Sequence, residues 1–104
     1  MTSKQIIGEL AQRQAAQGVK LGKMFGLTCL MLGRKPLVVL SGDELVFRIP
    51  LARTPEALMI SGAYAWEPMP GRGRMKEWIV IPMETVDSAA YWANIALAFL
   101  HSKH

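Results

Sequence analysis

The chain has 104 residues, 51% of them apolar and 19% charged, with a formal net charge of +4. That length holds a single domain over residues 1–104 and excludes a Rossmann unit with a second domain or a barrel of βα units. The apolar share excludes global disorder, because enough surface can be buried to offset chain entropy without a disulfide or a metal.

Residues 3–17 predict a helix. Thr2 is placed to cap it with Gln5 three residues on, and Ile6, Ile7, Leu10, Ala11 and Ala15 recur on one face. Gly18 and Gly22 end it and open a loop. Residues 24–32 are apolar nearly throughout and predict a first strand, central and covered on both faces. A turn at Gly33-Arg34-Lys35-Pro36 leads to a second strand over 37–40. Ser41-Gly42-Asp43 leads to a third over 45–49. Such short turns specify an antiparallel meander.

Thr54-Pro55-Glu56 predicts a helix start, with Thr54 as cap and proline at the first position, and Gly62 stops that helix. Tyr64-Ala65-Trp66 reads as a short fourth strand. Residues 69–73 read as a loop and 75–81 as a fifth strand, with Trp78 and Val80 on one face and Ile79 and Ile81 on the other. A last helix runs over 87–101, capped by Asp87, with Trp92, Ile95, Ala96 and Phe99 in one stripe. The order α-β-β-β-α-β-β-α specifies an α+β, two-layer domain: an antiparallel five-stranded sheet with helices packed on it.

The charge is uneven. Residues 1–35 carry Lys4, Arg13, Lys20, Lys23, Arg34 and Lys35 against Glu9 alone, whereas the remainder has six basic and seven acidic groups. An anionic partner would meet the first third. Lys20 and Lys23 flank Gly22, Arg34 and Lys35 occupy the next turn, and Arg72, Arg74 and Lys76 alternate along the hairpin from the fourth to the fifth strand. These seven are the candidate nucleic-acid contacts. Lysines on a sheet edge also discourage aggregation, so the same residues have a purely protective reading. Met69, between prolines in a loop, is the candidate protein contact.

No catalytic constellation emerges. Gly18-Val19-Lys20-Leu21-Gly22-Lys23-Met24 is one residue short of a phosphate loop and has Met where the metal-binding hydroxyl belongs. Gly71-Arg72-Gly73 opens like a dinucleotide loop, but Lys76 stands at the last glycine. His101 and His104 lack further ligands, and Glu84 and Asp87 are explained by capping. Cys29 is the lone cysteine, which excludes an internal disulfide and fits a reducing compartment. It reads as a small core residue, with a nucleophile as the competing reading. No cofactor, metal or catalytic residue is expected. With no signal peptide and no apolar run of membrane-spanning length, the expectation is a cytoplasmic protein without membrane contact.

Lys23-Met24-Phe25-Gly26 opening an apolar stretch resembles the N-terminal domain of the TfoX/Sxy competence-regulator family. The turns at Gly33 and Gly42-Asp43, the short helix ending at Ser61-Gly62, Met75-Lys76-Glu77-Trp78 leading to Pro82, and the Trp/Ala-rich last helix extend the likeness over residues 5–101. The family motif falls on Met24, Phe25 and Gly26. The resemblance implies a fold like that of secretion-chaperone-like domains. It also implies a non-enzymatic bacterial role in regulating competence or gene expression. Full-length family members carry a second, C-terminal domain, whereas the sequence here stops at His104, directly after the last helix. The family is also more glycine-rich where Leu27-Thr28-Cys29 stands. The expected function is regulation through an unidentified protein partner. The alternative is weak, sequence-independent nucleic-acid binding, and a homodimer is a further candidate assembly.

Overall fold

The computed structural model describes residues 1–68 and 76–102. Among them, helix α1 (Ser3–Gln14) is followed by strands β1 (Val19–Met24), β2 (Leu27–Leu32), β3 (Lys35–Ser41) and β4 (Glu44–Arg48). Helix α2 (Thr54–Leu58), strands β5 (Tyr64–Ala65) and β6 (Trp78–Val80), and helix α3 (Val86–Ser102) complete the order. The fold is α+β, with one antiparallel sheet in the order β1-β2-β3-β4-β6-β5.

The helix signals translate into structure with two exceptions. Thr2 accepts from the Gln5 amide and Gln5 reaches back to the Thr2 amide, so the capping box forms. The last turn tightens to a 3-10 segment (Ala15–Gln17), and Gly18 stops it at φ +89°. At α3 the cap is Thr85, not Asp87. The Thr85 hydroxyl accepts from the Ser88 amide at 3.2 Å, and Asp87 instead pairs with Arg13 across to α1 at 3.0 Å. At α2 the capping residue is Arg53. Thr54 sits inside the helix, its hydroxyl donating back to the Leu51 carbonyl at 2.9 Å.

The larger correction concerns the sheet. The apolar run 24–32 is not one central strand. It folds at Phe25-Gly26 into a two-residue hairpin, with Phe25 at φ +53° and Gly26 at φ +77°. Residues expected in a loop become β1, which makes the sheet six-stranded and leaves β1 at its edge. Pro36 lies within β3, opposite Met31, where the register shifts. A bulge there excuses the amide that proline lacks. The strand expected over 75–81 is shorter, because Lys76-Glu77 form a turn before β6.

One sheet face carries the helices. Ile6, Ile7 and Leu10 of α1 and Trp92, Ala93, Ala96 and Leu100 of α3 pack on Leu30, Val38, Leu45, Phe47 and Ile79. Ile95 and Phe99 of the expected α3 stripe are half-buried at its margin. The opposite face carries a smaller cluster of Cys29, Val39, Val46, Trp66, Trp78 and Val80, with Met24, Leu27 and Met31 against it. The Trp66 and Trp78 rings meet at 5.8 Å, and the Arg48 guanidinium lies 5.8 Å from the Trp78 ring centre. Trp78/Val80 and Ile79/Ile81 thus face opposite sides, as their alternation predicts. Among the described residues, no helix is long and apolar enough to cross a membrane.

Among the described residues, the α1–α3 contact buries one polar side chain. Gln14 is 2% exposed; its amide nitrogen donates to Asn94 Oδ1 at 3.2 Å, while Oε1 has no partner among the described residues. An unpaired buried acceptor costs on the order of 1 kcal/mol or more. Gln14→Met keeps the volume and removes that acceptor, so it is expected to stabilise the fold by about 1 kcal/mol in urea unfolding. A loss of stability would instead assign the Gln14–Asn94 bond a net stabilising role.

Candidate interaction surface

The β1–β2 hairpin places the most exposed aromatic side chain of the described chain at its tip. Register ends at Met24↔Leu27, so Phe25 and Gly26 alone form the loop. Positive φ at both marks a type I′ turn, whose twist matches the strands and which favours Asn-Gly. Phenylalanine is a poor choice at the first position, where a bulky residue in the left-handed region costs roughly 1–3 kcal/mol. Burial does not offset that cost, for Phe25 is 83% exposed. Gly26 completes the turn, and Met24 turns under the sheet towards the tryptophan cluster.

The hairpin's outer strand is open along its length. β1 pairs with β2 in unbroken register and, among the described residues, has no strand on its other side. Because Met24 and Leu27 close a two-residue loop, alternate residues outward from them turn their amides and carbonyls away from β2. Val19, Leu21 and Lys23 therefore direct backbone donors and acceptors off the edge. Lys20, Leu21 and Lys23 are exposed, Leu21 by 51%. Above this edge, between α1 and β1, runs a groove of about 610 Å³. Gly8, Ala11, Ala15, Val19 and Leu21 give it an apolar floor, and Lys4, Glu9 and Lys20 stand on its rim.

The described basic residues fall in two places on the sheet. Val19↔Leu32 and Leu32↔Lys35 pairing sets Lys20, Arg34 and Lys35 at the same end of the sheet, with Lys23 nearer the hairpin tip. Arg34 is exposed and Lys35 half-buried. Lys76 is exposed in the turn before β6, four strands from β1, or roughly 19 Å at the usual strand spacing. Arg72, Arg74 and Met69 lie outside the described residues.

Two further surface features lacked an adequate sequence signal. Arg53 Nε donates to Glu56 Oε1 at 3.1 Å, and its Nη2 donates to the Tyr91 hydroxyl at 2.9 Å. That hydroxyl donates to Glu56 Oε2 at 2.8 Å. The Tyr91 bond, then the Arg53 guanidinium, hold the Glu56 carboxyl below its usual range, and Glu56 raises the Tyr91 phenol. The triad ties α2 to α3 and is solvent-exposed, so it reads as a brace. Arg53 and Glu56 stand three apart and could be paired from sequence; Tyr91 is added only by the tertiary fold. Leu51, Leu58 and Met59 form the other feature, exposed apolar side chains around α2.

Cys29 is fully buried, its thiol donating to the Leu27 carbonyl at 3.4 Å. Burial pushes the thiol pKa up, with the Met24 backbone pulling the other way. A nucleophile needs the opposite shift and an open approach. The proton is held more tightly in the folded chain than in the unfolded one. The associated stability is present below the ordinary thiol range and is lost as pH rises through the folded value. Cys29 is therefore expected to resist iodoacetamide at mildly alkaline pH until denaturant is added. Rapid alkylation of the native protein would contradict that burial.

Compared with protein-family models, with curated proteins and with solved structures, the chain matches none. Among the described residues, no group of His, Cys, Asp and Glu side chains is arranged to hold a metal ion.

Proposed function

We propose that the protein is a small, non-enzymatic regulatory domain that works by contact with another protein. Its role would be the one implied by its resemblance to the TfoX N-terminal domain, in bacterial competence or gene expression. One observation carries the contact reading. Phe25 is held at φ +53° and 83% exposed, a conformational cost that the isolated chain does not recover. A partner that buries the ring would recover it, since aromatic anchors dominate many interfaces. The Met24-Phe25-Gly26 motif on which the resemblance rests is this same hairpin tip. The test is a photo-crosslinking residue at position 25 in the native host, with position 84 as control. Protein adducts specific to position 25 are expected. No adducts there, or equal adducts at both positions, would refute the contact.

The second reading is sequence-independent nucleic-acid binding. It is favoured by Lys20, Arg34 and Lys35 sharing one end of the sheet. Counterion release makes such binding fall steeply with salt. Anisotropy with labelled duplex DNA and single-stranded RNA at low and physiological salt tests it.

A further inference from the structure

We infer that the open edge of β1 accepts an extended acidic segment of a partner protein as an added strand; this deepens, and rests on, the protein-contact reading. Edge strands normally deter such pairing by being short, bulged or charged. β1 is neither short nor bulged, and its two exposed lysines repel a basic strand but attract an acidic one. Its register with β2 runs without a bulge from Val19↔Leu32 to Met24↔Leu27, and Leu21 lies exposed between two lysines. An added strand would satisfy the outward amides and carbonyls of Val19, Leu21 and Lys23.

The side chains define what that strand must carry. Val19, Leu21 and Lys23 face the helix side, where Val19 packs into the core, and Lys20, Gly22 and Met24 face the other. The residue opposite Leu21 would sit over the apolar groove beneath α1 and should be apolar. Those opposite Lys20 and Lys23 should be acidic, and the one opposite Gly22 is unconstrained. An antiparallel partner, the more stable pairing, therefore reads acid–any–apolar–acid in its own direction.

Charge selects this occupant over two others. A second copy would add a strand with the same two lysines and no acidic residue, and among the described residues lining the groove Glu9 is the one acidic group. A nucleic-acid backbone could pair the lysines but would leave the outward carbonyls unmatched and the apolar floor empty.

The test is amide NMR of the full chain titrated with an acetylated peptide containing Glu-Thr-Val-Glu flanked by threonines. Perturbations confined to β1 and the facing side of α1 are expected. Alternate N-methylation of the peptide should abolish them, and so should exchanging its Glu and Val positions. Lys20→Glu with Lys23→Glu should weaken binding about tenfold or more, since two attractive pairs become repulsive. Leu21→Pro removes an outward amide without touching the β1–β2 bonds, and should also abolish binding. Unchanged binding after N-methylation, or no perturbation up to about 1 mM peptide, would overturn the added strand. Displacement of the peptide by duplex DNA from the same edge would assign that edge to nucleic acid. Concentration-dependent self-association through β1 would assign it to a second copy. Position-25 adducts with peptide failure would sink the strand alone, whereas absence of adducts would sink the contact reading beneath it.

Discussion

Phe47→Ala is expected to destabilise the fold by about 3–5 kcal/mol, which is most of the stability of a domain this small. Phe47 is the largest of the fully buried side chains, on central strand β4 between Val38 of β3 and Ile79 of β6. It belongs to the cluster in which α1 and α3 meet the sheet, so its removal opens a cavity bounded by several rigid elements. Urea unfolding at neutral pH measures the loss. A cost below about 1 kcal/mol would mean that the helix layer repacks around the gap.

Phe25→Asn is expected to do the reverse to stability while removing the contact. Asparagine tolerates the left-handed region, and Asn-Gly is the preferred type I′ pair. With φ +53° at Phe25 and φ +77° at Gly26 already in place, the substitution relieves strain without moving the backbone. An 83% exposed ring has little packing to lose. A gain of about 1 kcal/mol follows, read from the urea midpoint. A variant that is more stable yet deficient in its contact separates function from folding, as expected where strain is stored at a working site.

Local chemistry made much of the fold legible in the sequence. Thr2 and Gln5 announced α1, and alternation through Trp78–Val80 placed each side chain on its face. The hairpin was hidden for a physical reason. A turn is usually flagged by polar residues, and here only Gly26 interrupts an apolar run, with Phe25 in the place of asparagine. Missing that turn moved the edge strand into a loop and the first strand into the middle of the sheet. Thr85 and Asp87 both qualify as caps by type, and the pairing of Asp87 with Arg13 on a distant helix decided between them. Gln14 could have been found, because it stands four residues after Leu10 on the buried face of α1.

The interaction surface was legible only in part. Lys20, Lys23 and the Met24-Phe25-Gly26 motif were visible as residue types, but the exposure of Phe25 and the open edge of β1 follow from strand order. Periodicity alone cannot supply strand order. Of the basic residues that the sequence sets in two clusters, Lys20 and Lys23 on β1 and Lys76 before β6 stand four strands apart.

The most direct measurement is photo-crosslinking from position 21 on β1 in host cells carrying either the native hairpin or Phe25→Asn. Both proteins are scored for urea stability in parallel. The native chain should give protein adducts, and the variant should lose them while unfolding at an equal or higher midpoint. Undiminished adducts from the variant would show that Phe25 does not anchor the partner, and a variant less stable than the native chain would show that Phe25 serves the fold.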